Sequence, residues 1–93
     1  MPEKLSIIWT DYLKYRAGLT GFELDKIEAI LRHSDERYFD SVTQRMIVVG
    51  RQDRRLVIVP YEKKGNEIRP ITIHVTTRQQ INFRLKSGRF TYE

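Results

Sequence analysis

Ninety-three residues with 40% hydrophobic and 11% aromatic content suffice for one core and not for two, so a single domain over residues 1–93 is expected. The lack of cysteine excludes a disulfide scaffold and any thiolate metal site, zinc ribbons among them, and suits a reducing compartment. The net charge of +5 is unevenly placed: residues 1–40 carry six Lys/Arg against eight Asp/Glu (−2), and residues 41–93 carry eleven against four (+7). Concentration of that kind points to a nucleic acid or an acidic protein as partner, the plainer alternative being a solvated basic surface.

Met1 to Lys4 is followed by only a brief apolar stretch, Leu5 to Trp9, far shorter than a signal-peptide core or a membrane span, so a cytoplasmic protein without membrane attachment is expected. Leu5–Trp9 is β-branched and predicts a first strand, with Thr10 or Asp11 capping a short helix over 12–17 that Gly18 stops. Thr20-Gly21-Phe22-Glu23 has the form of a capping box, with Leu19 and Leu24 placed for a hydrophobic staple. Leu24, Ile27, Ile30 and Leu31 then recur at helical spacing, with Asp25, Lys26, Glu28 and Arg32 on the other side, predicting a helix that packs one face on a sheet.

Strand chemistry follows. Arg37–Asp40 predicts a short strand turning at Ser41–Thr43. Arg45–Gly50 and Leu56–Tyr61 are continuous apolar runs, expected as a central hairpin joined through Arg51–Arg55, with Pro60 marking a bulge or an edge. After a turn at Lys63–Asn66, residues 68–75 predict a last strand. Its Ile71, Ile73 and Val75 face a core, and Thr72, His74 and Thr76 form a polar face. A Thr-capped helix over 77–83 and a loose end complete the chain. The expected fold is therefore α+β, with two N-terminal helices on one face of an antiparallel three- to four-stranded sheet and a short C-terminal helix or tail. The other face must be covered by that tail, by a partner or by a ligand.

The polar face of residues 72–76 leads into Arg78, Arg84, Lys86 and Arg89, and the hairpin turn adds Arg51, Arg54 and Arg55. Tyr38 and Tyr61 offer aromatic surfaces for bases, although these two and Phe83 also suit a core. Cleavage of RNA needs a group to activate the 2′-hydroxyl, a group to protonate the leaving oxygen, and positive charge for the phosphorane-like transition state. His74, Arg78 and Arg51 are the candidate catalytic residues, and Arg54, Arg55, Tyr61, Arg84, Lys86 and Arg89 the candidate RNA contacts. Each has a plain alternative: His74 as an ordinary strand residue bonded to a neighbour, the arginines as turn charges. His33, at a helix end, suits the helix dipole and is assigned no chemistry. No paired carboxylates stand at metal-site spacing and no Gly-rich phosphate loop occurs, so neither metal nor cofactor is expected.

Four stretches carry a resemblance over nearly the full chain: Ile8-Trp9-Thr10-Asp11, Gly18-Leu19-Thr20-Gly21-Phe22-Glu23, Arg45-Met46-Ile47-Val48-Val49-Gly50-Arg51, and Ile73-His74-Val75-Thr76-Thr77-Arg78. They resemble the opening strand, the helix entry, the strand ending in Gly-Arg and the final strand of small ribonuclease toxins of the RelE/ParE superfamily, most of all the BrnT-type branch. His74-Val75 stands where that branch commonly has Arg-Lys, and Ala17 where it has histidine. The resemblance implies a RelE-like fold, metal-independent endoribonuclease activity within a type II toxin-antitoxin system, and an antitoxin whose acidic segment covers the basic face. It leaves open a homodimer, a non-catalytic module binding RNA or an acidic protein, and a gyrase-directed toxin.

Overall fold

The computed structural model describes residues 5–92; Met1–Lys4 and Glu93 lie outside them. The elements in chain order are β1 (Ser6–Ile7), α1 (Asp11–Thr20), α2 (Leu24–His33), β2 (Arg37–Asp40), β3 (Arg45–Gln52), β4 (Arg55–Lys64), β5 (Glu67–Pro70), β6 (His74–Thr76), α3 (Arg78–Lys86) and β7 (Phe90–Tyr92). The α+β class holds, and the two N-terminal helices share one face as expected, but the three- to four-stranded sheet of a RelE-like fold is overturned. Among the described residues the sheet has seven strands in the order β1-β5-β4-β3-β2-β7, with β6 also on β4. All pairs are antiparallel except β1 with β5.

Helices cover both faces. Leu13 and Ala17 of α1 and Ile27, Ile30 and Leu31 of α2 pack on Val48, Val57, Val59, Tyr61 and Ile68. On the opposite face, Ile81 and Leu85 of α3 pack on Ile47, Val49, Leu56, Ile58, Tyr38 and Phe90. Alternate residues of β3 and β4 thus enter different cores, which is why both strands are continuous apolar runs. The face left uncovered by the N-terminal helices is closed by the C-terminal segment itself.

Helix α1 continues past Gly18 to Thr20 and ends at Gly21, whose φ of 75° suits a left-handed cap. Because Thr20 remains helical, its hydroxyl donates back to the Arg16 carbonyl (2.8 Å), and the expected capping box does not form. Glu23 is the N-cap of α2, without a side-chain cap bond. The buried Gln52 of β3 serves this junction instead, its Oε1 accepting from the Glu23 N–H (3.2 Å) and its amide nitrogen donating to the Gly21 carbonyl (3.4 Å).

The β3–β4 turn shrinks to Asp53–Arg54, with Asp53 at φ 58°, so Arg51 and Arg55 are strand residues. The single last strand expected over 68–75 is broken. β4 pairs with β6 through residues 56–58 and with β5 through residues 61–64. Pro60 sits at the break, its carbonyl accepting from the Ile71 N–H (2.8 Å); a residue with no N–H fits where one partner strand gives way to another. Thr77 caps α3, accepting from the Gln80 N–H (3.1 Å), as the sequence predicts. Phe90–Tyr92, expected to be loose, pairs with β2 as β7.

Candidate nucleic-acid interface

The polar face of residues 72–76 lies beneath α3, and the break in the strand leaves space there. A cleft of about 480 Å³ opens between α3, the sheet and the β2–β3 turn, within the size range of small-ligand sites. Its polar walls are Thr72, His74 and Thr76 from the broken strand, Gln80 and Arg84 from α3, Asp40, Thr43 and Arg45 from the β2–β3 hairpin, and Arg89. Ile47, Ile58 and Phe90 contribute apolar wall.

Three arginines and one carboxylate give the cleft a positive balance, but the arginines differ in their partners. Arg89 grips the buried Asp40 with two bonds, of 2.9 and 3.0 Å. Burial pushes the Asp40 carboxyl up, yet Arg89, the Val42 N–H and the Thr43 hydroxyl together hold it below the usual carboxylate range. Arg45 approaches Glu62 at 3.5 Å with both side chains well exposed. Arg84 lies 5.5 Å from the Phe90 ring centre, and among the described residues no carboxylate pairs with it. His74 stands exposed at the rim, yet partial burial of its ring, followed by the positive fields of Arg16 and Arg84, lowers its pKa below the ordinary 6.5. It is therefore a neutral imidazole at pH 7, able to accept a proton.

The other candidate residues lie elsewhere. Arg78 donates to Glu36 through both terminal nitrogens, one bond measuring 3.1 Å, and Tyr38 donates to the same carboxylate at 2.6 Å. The Arg78 hydrogen bond is the main reason why the Glu36 pKa falls below its usual value, against its own burial, with Tyr38 and the nearby Arg51 adding to the fall. Burial, followed by the bond to Glu36, raises the Tyr38 hydroxyl to about 12. Arg78 and Arg51 thus gather at Glu36, outside the cleft that holds His74.

Arg55 stacks its guanidinium 4.1 Å from the Phe22 ring centre and donates to the Thr20 carbonyl (2.8 Å), tying down the end of α1. Tyr61 is 2% exposed, its hydroxyl accepting from Arg37, and Tyr38 is 5% exposed, so neither ring offers a face to a base. Arg54 is exposed at the hairpin tip and Lys86 at the end of α3. Four cleft residues were missed in the sequence: Asp40, Thr43, Arg45 and Gln80. Two signals pointed to them. Arg45 shares the odd-numbered face of Ile47 and Val49, and Gln80 follows Thr76 by one helical turn, where its Oε1 accepts from the Thr76 hydroxyl (3.0 Å).

Comparison with known protein families, with curated proteins and with solved structures finds no match to this chain.

Proposed function

We propose that the protein is a metal-independent endoribonuclease of the toxin kind, which takes an RNA strand into the cleft beneath α3 and is held in check by the acidic segment of an antitoxin. The observation that carries this reading is a cleft that holds His74 together with Arg84, a cation with no carboxylate partner among the described residues; burial and that charge both lower the pKa of the imidazole and favour its neutral form. In the proposed reaction His74 takes the proton of a 2′-hydroxyl, whose oxygen attacks the adjacent phosphorus. Arg84 and Arg45 meet the charge that grows on the non-bridging oxygens, and the 5′-oxygen leaves with a proton from water, giving a 2′,3′-cyclic phosphate.

A second reading, an RNA- or acidic-protein-binding module without catalysis, is favoured by a different observation. The one carboxylate lining the cleft, Asp40, is held ionised by Arg89 and so offers no proton to a leaving group.

Single-stranded RNA incubated with the purified protein in EDTA separates the two. Cleavage is expected, slowed about 10²- to 10⁴-fold in His74→Ala and about 10²-fold in Arg84→Ala. RNA left intact at large protein excess ends the nuclease reading and leaves the binder. Affinity that hardly falls with rising salt ends the phosphate contacts of both.

A further inference from the structure

The outward side of α3 bears a second concavity. Ile81 and Leu85 point into the core, while Gln79, Gln80, Phe83, Arg84 and Ser87, with Arg89 beyond the helix end, border a groove of about 540 Å³. Three of these residues, Gln80, Arg84 and Arg89, also line the basic cleft, so Arg84 stands in the wall between the two spaces. Phe83 is 71% exposed. A lone exposed phenylalanine is unremarkable on a protein surface. One that flanks a cationic cleft, with amide and hydroxyl groups around it, has the makings of a stacking platform: a flat ring for a base beside a positive charge for its phosphate.

We infer that this groove is a nucleobase subsite, in which one unpaired base of single-stranded RNA stacks on the Phe83 ring while an adjoining phosphate lies on Arg84. The inference rests on the reading that the cleft receives RNA, and adds to it the requirement for a single strand. A duplex keeps its bases stacked on each other and has none to offer, whereas an unpaired base presents a free face that any aromatic ring can meet. The amides of Gln79 and Gln80 and the hydroxyl of Ser87 supply donors and acceptors along the groove for the edge of that base. An acidic protein segment would use Arg84 and Arg45 but would have no comparable need of the ring.

Binding to a fluorescein-labelled 2′-O-methyl oligoadenylate, which cannot be cut through its 2′-oxygen, reads this site apart from catalysis. Phe83→Ala is expected to weaken binding about 5- to 100-fold, the range seen when a base loses its aromatic platform. Phe83→Trp should retain it, and both variants should share the thermal midpoint and salt slope of the wild type because the residue is exposed and uncharged. An abasic strand of equal length and charge should bind the wild type and Phe83→Ala alike. Undiminished binding of the oligoadenylate by Phe83→Ala overturns the subsite alone, as does an equal loss on the abasic strand. Failure of the wild type to bind either strand overturns the functional reading and the subsite together.

Discussion

In the proposed reaction the chemistry turns on His74, whose protonation can be followed directly. Partial burial and the charges of Arg16 and Arg84 all disfavour its imidazolium, so its resonances are expected to titrate by NMR below 6.5. Removing a positive neighbour, as in Arg84→Ala, should move that midpoint upward; a midpoint unchanged or lowered would show that Arg84 does not act on the ring. Because the folded pKa is depressed, the unfolded chain binds the extra proton more readily. The contribution of His74 to stability is therefore present above pH 6.5 and is lost as the pH falls through the folded value. At this scale the sequence displays charge but not what neutralises it. Arg89 and Asp40 are 49 positions apart, and nothing in either neighbourhood announces their pairing. The alternation over 71–76 was legible only in part: Thr72, His74 and Thr76 do line one cleft, but Val75, expected to face a core, is 54% exposed and lines it with them, because the strand is broken before His74.

Among the elements, α2 was readable from its apolar spacing, whereas its start was not. A Thr-x-x-Glu pattern describes a cap only if the threonine leaves the preceding helix, and Thr20 stays in α1. The seat of α2 on the sheet depends on Gly50. A Cβ built there would lie 2.7 Å from both branches of Ile30, which is 7% exposed and has little room to retreat. Gly50→Ala is accordingly expected to destabilise the fold by about 1–3 kcal/mol, measured as a lowered urea midpoint, and the double variant Gly50→Ala/Ile30→Ala, which removes both clashing Cγ atoms, should lose less than the sum of the two single variants. If Gly50→Ala matches the wild type, α2 does not rest as closely on β3 as described. The strand missed in the sequence was the short β7: three residues are too few for any period to show, and it exists because β2 offers an unpaired edge. β1 was expected, and β6 only as part of one longer last strand.

Over the whole molecule, α3 and β7 are joined to β2 by two ion pairs, one at each end. Arg78 at the start of α3 meets Glu36 just before β2, and Arg89 just before β7 meets Asp40 at the end of β2. The pairs differ in exposure: the Arg78 and Glu36 side chains are 48% and 28% exposed, whereas Asp40 is 3% exposed. Glu36→Gln should therefore cost less than about 1 kcal/mol and nothing measurable in high salt. Asp40→Ala, which leaves Arg89 without its carboxylate, should cost about 2–4 kcal/mol with little dependence on salt. Denaturation of both variants at low and high salt checks this, and equal losses would contradict the contrast. The Glu36 contribution carries the usual sign for a carboxylate with a lowered pKa: present above about pH 4.5, lost as the pH falls through the folded value. None of this long-range fastening was visible in sequence; the C-terminal helix was, but whether it, a partner or a ligand covers the second face was left open, because an amphipathic stretch shows that it needs a sheet but not which face.

The unequal pairs also set how the cleft can move. Its roof, α3, is fixed firmly near Asp40 and lightly near Glu36, in the manner of a door with a hinge on one side and a latch on the other. On the proposed reading, phosphates of an arriving RNA would compete with Glu36 for Arg78 at the latch, while the better buried Asp40 pair would hold. Opening would then proceed from the first turn of the helix, widening the passage beside His74 without parting the strand that completes the sheet.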